Sequence, residues 1–177
     1  VFNGDTYIGL GVNSLSESDI EFAQSHLRIL SGLYGILRPL DLIQPYRLEM
    51  GSRFGLNQFS NLYEYWADRI TDAVNTDLTN HKNSTVINLS SNEYFKVIQP
   101  KRLIGKVITP VFKEVKDGNS RVIGILAKKA RGMMARFMIE ERMSEPDGLK
   151  NFKMDGYMYR PDQSDQEKWV FTRDHIL

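Results

Sequence analysis

Apolar residues at Leu62, Tyr65, Trp66, Ile70, Ala73, Val74 and Leu78 repeat at i, i+3, i+4 spacing, which predicts an amphipathic helix over residues 62–78. An earlier helical pattern, Ile20, Phe22, Ala23, Leu27 and Leu30, follows Ser16 and Asp19. Those two polar residues sit three apart and form a capping-box-like start, with Asp in place of the usual Glu. Ser31-Gly32 ends that helix, because glycine takes the left-handed backbone conformation at no steric cost. Ile36, Leu37, Leu40 and Ile43 resume an apolar pattern until Pro45 closes it. Residues 27–46 therefore read as the end of one helix, a hairpin at Gly32 and Gly35, and a short second helix. A further helix is predicted over residues 127–143.

Strand patterns fall between and after these helices. Residues 46–51 read as a strand or extended segment, and 85–89 (TVINL) as a short buried strand. Ser90, Ser91 and Asn92 offer caps for a brief helix over 93–97. Residues 106–116 are strand-like, Asp117-Gly118 is a strong hairpin signal, and 121–126 is the returning strand. Residues 146–151 add one helical turn, and 156–160 with 169–173 form a last strand pair around a polar loop. Residues 2–12 read as a Gly-rich loop with one aromatic anchor. The fold class is α+β: a single compact mixed domain over residues 1–177, with antiparallel hairpins, a helix-hairpin-helix-like element and a basic amphipathic helix.

Composition narrows the classes of function. Hydrophobic residues make up 41% and charged residues 25%, as in ordinary globular domains. Net charge is only +1, so any nucleic-acid surface must come from local clustering. With no cysteine, disulfides, thiol catalysis and thiolate metal sites are excluded, which fits a cytoplasmic protein. No stretch approaches the ~20 apolar residues of a membrane span, so no membrane partner is expected. The start at Val1, running at once into Asn3-Gly4-Asp5, reads as a fragment lacking an N-terminal part.

Two stretches carry chemistry. A glycine hairpin that opens a helix points backbone N–H groups outward, and the helix dipole adds partial positive charge, which makes a phosphate site. Helix-hairpin-helix modules hold nucleic-acid backbone in this way, giving position without sequence reading. Ser31, Gly32, Tyr34 and Gly35 form that hairpin, with charge nearby from Arg28, Arg38 and Arg47. Gly32 and Gly35 are separated by two residues, one more than in the usual hairpin of this kind. The second stretch is the helix over 127–143. Ala130, Met133, Met134, Phe137 and Met138 share one arc, and Lys128, Lys129, Arg131, Arg136 and Arg142 the opposite one. Gly132 within it costs ~1 kcal/mol against alanine and needs a reason.

Other candidates are sparser. His26, His81 and His175 are scattered, so neither a metal nor a cofactor is expected. Asp41, Glu93 and Tyr94 lie among apolar or aromatic residues and are the acid–base candidates if the protein is an enzyme. Tyr34, Tyr46, Tyr94 and Tyr157 could stack on bases.

The segments SGLYGILRPLDLIQPYRLEMG, INLSSNEYFK, TPVF at residues 109–112 and KKARGMMARFMIEER, in this order, closely resemble the bacterial YaaA family of peroxide-stress proteins. The likeness runs from GDTYIGL near the start to WVF near the end, without the family's N-terminal ISPAKTLD-like segment. The resemblance implies a DNA-binding protein with a helix-hairpin-helix element and a positively charged cleft. It also implies a role in limiting oxidative damage by keeping unincorporated intracellular iron low. The hairpin maps onto Ser31, Gly32, Tyr34 and Gly35 with Arg38, and the basic helix onto Lys128, Lys129, Arg131 and Arg136. The reading that follows is a non-enzymatic DNA-binding protein of low sequence specificity. The alternative is an enzyme acting on a nucleotide or small anionic substrate in the same basic cleft; a third reading is an interaction protein whose basic face meets an acidic partner.

Overall fold

A computed structural model describes residues 2–53, 55 and 58–175. Helices and strands intermingle, as expected of an α+β chain. In order they are α1 (Asp5–Leu10), α2 (Glu17–His26), β1 (Ile29–Ser31), β2 (Gly35–Leu37), α3 (Leu62–Leu78) and β3 (Thr85–Ile87). There follow α4 (Asn92–Phe95), β4 (Lys106–Lys116), β5 (Asn119–Arg121), α5 (Gly124–Glu140), β6 (Met158–Tyr159) and β7 (Lys168–Asp174). They form two compact units interleaved along the chain. One is built from Ala23–Thr85 and Ser90–Lys106, the other from Phe2–Phe22, Val86–Leu89 and the chain from Val107 on.

The first unit is organised by α3, whose bounds match the predicted 62–78. Asn61 accepts from the Glu64 N–H at 3.0 Å, and Glu64 accepts from the Ser60 N–H at 2.8 Å, so the first turn is capped from both directions. Ile70 of α3 packs with Met50, Leu62, Val97 and Ile98 in a core bordered by Trp66, Leu48 and Tyr94. Ser91 caps α4 as its sequence suggested, accepting from the Tyr94 N–H at 3.4 Å.

The helix-hairpin-helix expectation is corrected here. The helix ahead of the glycines is α2, begun by the expected box: the Ser16 N–H donates to Asp19 at 2.9 Å, and the Asp19 N–H to Ser16 at 3.2 Å. After it, however, β1 and β2 pair antiparallel with Ile29 opposite Leu37 and Ser31 opposite Gly35. Glycine spacing explains the difference, since a three-residue loop from Gly32 to Tyr34 closes a β-hairpin. Gly35 sits at φ +79°, and a Cβ there would lie 2.6 Å from the Trp66 ring. A Cβ at Gly32 would lie 2.4 Å from Leu48 O, and the Trp66 Nε1–H donates to Gly32 O at 2.9 Å. The hairpin backbone is thus spent on packing against Trp66 and Leu48. Arg38 and Asp41 then close a turn, where the expected second helix would have run. Residues 46–51, read as extended, form no strand.

In the second unit the sheet runs β3-β4-β7-β6, with β5 on β4. The β4–β7 pair is parallel, and β4–β5 and β6–β7 are antiparallel. Asp117 and Gly118 both take positive φ, 52° and 75°, as a two-residue hairpin turn requires. The returning strand is shorter than the expected 121–126, because α5 begins at Gly124. The inner face of the sheet carries Ile108, Phe112, Trp169 and Phe171, and Ala130, Met133 and Met134 of α5 join them with Phe152 and Tyr157.

Residues 2–12, expected as a loop, contain α1. This six-residue helix is held by contact with α5: a Cβ on Gly132 would lie 1.8 Å from Thr6 O, and one on Gly9 2.1 Å from Lys129 O. Two glycines in register let the backbones touch, which is the reason Gly132 needed.

Candidate functional site

Helix α5 carries the clearest electrostatic feature. Its N-cap is Ile123, so no side chain accepts from the first-turn N–H groups. From Gly124 to Ile139 it holds no acidic residue, while Lys128 and Lys129 are exposed. The positive end of the helix dipole and two solvent-facing ammonium groups therefore coincide. The rest of the predicted cationic arc is used differently. Arg131 is largely buried, and that burial pushes its guanidinium below the usual arginine range. Arg136 donates to Leu10 O at 3.2 Å, Gly11 O at 3.0 Å, Ser14 Oγ at 2.8 Å and Glu140 at 2.8 Å. It adds to the cap that Gly11 makes at φ +59°, with its N–H on Tyr7 O at 3.0 Å, by satisfying the carbonyls of Leu10 and Gly11. Arg142 bonds Asp19 at 2.7 Å and Ser18 at 3.0 Å.

The hairpin residues meet in the first unit. Ser31 is buried, its Oγ accepts from the Tyr34 N–H at 2.9 Å, and it lies 2.5 Å from the Tyr46 hydroxyl. Tyr34 and Tyr46 meet edge to face with centroids 5.5 Å apart, and the Gln44 N–H donates to the Tyr34 hydroxyl at 3.0 Å. These bonds hold the irregular segment 38–51 in place of regular structure. Arg47 is exposed on it.

Two acid–base candidates join that cluster. Glu93 accepts from the Gly51 N–H at 2.9 Å, and its backbone carbonyl accepts from the Tyr63 hydroxyl at 2.9 Å. The Tyr94 phenol is raised above the usual tyrosine range, by burial first and then by Tyr46 and Glu93, against a hydrogen bond from Met50. Asp41 stands apart, tied to Arg38 in the turn after β2.

The second unit holds a buried polar cluster that none of the sequence motifs announces. Glu114 on β4 is only 2% exposed. The Tyr157 hydroxyl donates to it at 2.5 Å, Arg173 Nε lies 3.0 Å from Oε2, and His175 Nδ1 lies 3.4 Å away. Arg173 also bonds the Asp155 carboxylate. Burial, then the bond to Glu114, pushes the Tyr157 hydroxyl far above the usual range. The signal was available: Glu114 is in phase with Ile108, Pro110 and Phe112 on the buried face of β4. Among the described residues, no three His, Asp or Glu side chains gather as metal ligands, and no helix is long and apolar enough to cross a membrane.

Residues 1–163 match the family described as peroxide stress protein YaaA. A UPF0246 protein of Magnetococcus marinus is 54% identical over 173 residues, covering 98% of this chain and 67% of that protein. A UPF0246 protein of Saccharophagus degradans is 54% identical over 172 residues, with 97% and 67% covered. One from Tolumonas auensis is 51% identical over 176 residues, with 99% and 68% covered. The chain thus spans about two thirds of the length of these relatives. On both the family match and the near-complete alignment to these relatives, the chain belongs to the peroxide stress protein YaaA family.

Proposed function

We propose that the chain is a DNA-binding protein of the peroxide stress response, taking the phosphate backbone on the first turns of α5 without reading sequence. The observation that carries this reading is the coincidence of exposed Lys128 and Lys129 with an uncapped helix start and no acidic residue before Glu140. Phosphate contacts of that kind position a protein on the duplex and carry no base information. Limiting DNA damage and free intracellular iron is the cellular outcome we assign to this binding; family membership supports the peroxide-stress setting. Because Arg136 is tied to α1 and Arg131 is partly buried, the test uses the Lys128→Ala/Lys129→Ala double variant. Binding to a mixed-sequence duplex is measured across a salt series. Each phosphate contact contributes a slope of about 0.9 in log K against log salt, so losing two should flatten it by about 2. An unchanged slope and affinity in a folded variant refutes the placement.

A second reading, an enzyme acting on a nucleotide or small anionic substrate, is favoured by the raised Tyr94 phenol beside Glu93. Tyr94→Phe would abolish turnover while leaving the salt slope of DNA binding intact. Turnover retained by Tyr94→Phe would remove that residue from the reaction.

A further inference from the structure

The first unit carries a cleft of about 320 Å³ at the hairpin's far end, whose lining includes none of the tyrosines around Ser31. That volume lies at the lower end of the range of small-molecule sites. Its walls combine an apolar floor, Ile36, Leu37 and Ala73, with two arginine–aspartate pairs.

The pairs are unequal. Arg28 meets Asp77 through two bonds, Nε at 2.6 Å and Nη2 at 2.9 Å, and its Nη1 donates to Leu27 O at 2.8 Å and Gln24 O at 3.1 Å. With its side chain 19% exposed, Arg28 is a fixed wall. Arg38 touches Asp41 through a single 3.5 Å contact, and its side chain is 56% exposed. That distance is at the limit of a hydrogen bond, and half-exposed pairs of this kind contribute little. Asp41 stays in place without it, because its Oδ2 accepts from the Arg38 N–H at 2.8 Å. The cleft therefore offers one cation and one fixed carboxylate that can exchange partners cheaply.

We propose that this cleft binds a small zwitterion, a molecule with a carboxylate and an ammonium on an apolar body, the class of a free α-amino acid. The ligand carboxylate takes the Arg38 guanidinium, its ammonium takes Asp41 Oδ1, and its apolar body covers Ile36, Leu37 and Ala73. The charge balance selects this class. Two arginines and two aspartates leave no net positive potential, so a phosphate or nucleic-acid strand gains nothing there, and an uncharged apolar molecule would leave the charged rim facing it.

The test titrates the intact chain with L-leucine, L-phenylalanine, L-glutamate and L-lysine, following backbone amide shifts. 4-Methylpentanoate, isoamylamine and inorganic phosphate serve as single-charge controls. At least one amino acid should move Leu37, Arg38, Ala73 and Thr76 saturably, with the single-charge controls at least about tenfold weaker. Asp41→Asn keeps an acceptor for the Arg38 N–H, so the turn survives; it should lose discrimination between the amino acid and the carboxylate alone. Arg38→Gln should lose binding of both. No saturable shift with any of the four up to about 20 mM, or phosphate binding as tightly as the best of them, overturns the proposal.

Discussion

Gly132→Ala separates two kinds of reasoning, because they disagree in sign. Helix propensity alone makes the change stabilising by about 1 kcal/mol. The contact with α1 makes it destabilising. The new methyl would lie 1.8 Å from Thr6 O, 2.7 Å from Leu10 N and 2.8 Å from Thr6 C, all backbone atoms that no rotamer change can move aside. Ordinary carbon contacts begin near 3.5 Å, so α1 would have to retreat by roughly 1.5 Å. Overpacking on that scale costs about 1–3 kcal/mol. The retreat also stretches the bonds from Arg136 to Leu10 O and Gly11 O, and bonds to charged groups are worth about 1.5–3 kcal/mol each. After the propensity gain, a net loss of about 3 kcal/mol is expected. Urea unfolding would measure it, with Trp169 fluorescence reporting the second unit and Trp66 the first. Gly9→Ala should cost a similar amount, and the double variant less than the sum, because both break one contact. If Gly132→Ala is as stable as the parent or more so, the α1–α5 contact is wrong.

Three further outcomes are expected. Glu114→Gln removes the charge that Arg173 and Tyr157 face inside the protein, and since Asp155 remains with Arg173 the loss should be about 2–4 kcal/mol in urea unfolding; a loss below about 0.5 would mean the network holds nothing. Gly35→Ala, at φ +79° and against the Trp66 ring, should destabilise the first unit by at least about 2 kcal/mol and shift Trp66 emission, and an unperturbed spectrum would contradict the hairpin. Asp19 is lowered from 3.8 to about 2, first by Ser16 and then by Arg142. A depressed folded value gives stability that is present above pH 3.8 and lost as pH falls toward 2, so Asp19→Asn should flatten the acid limb of a pH–stability profile over that window.

Legibility followed the source of each element's stability. Helix α3 could be read because its own residues supply both apolar face and cap, and the β4–β5 turn because Asp117-Gly118 suffices for it. The capping box at Ser16 and Asp19 was equally local. Helix α1 could not be read: six residues hold no stable helix alone, and its support lies in Gly132 and Arg136, far along the chain. Without α1 in view, Arg136 looked like one more surface cation. Strands β1 and β2 read as the end of one helix and the start of another because Leu27 and Leu30, then Ile36, Leu37, Leu40 and Ile43, fall at helical spacing, and three-residue strands are too short to display their own period. Lys128 and Lys129 are exposed, as their arc on the helix predicts. Glu114 is hard to read because a glutamate next to Lys113 suggests solvent, although its phase in β4 says otherwise.

The distance between Leu10 and Arg136, 126 residues, also bears on how the chain is made. Ribosomes add about 5–20 residues per second, so α1 leaves the exit tunnel roughly 6–25 seconds before the helix that will hold it exists. For that interval Tyr7, Ile8 and Leu10 have no partner surface, and the segment is a natural target for chaperones that bind short apolar stretches. Its docking therefore waits on the synthesis of α5, and any substitution that weakens the glycine contact would lengthen the time the nascent chain stays vulnerable to proteases and aggregation.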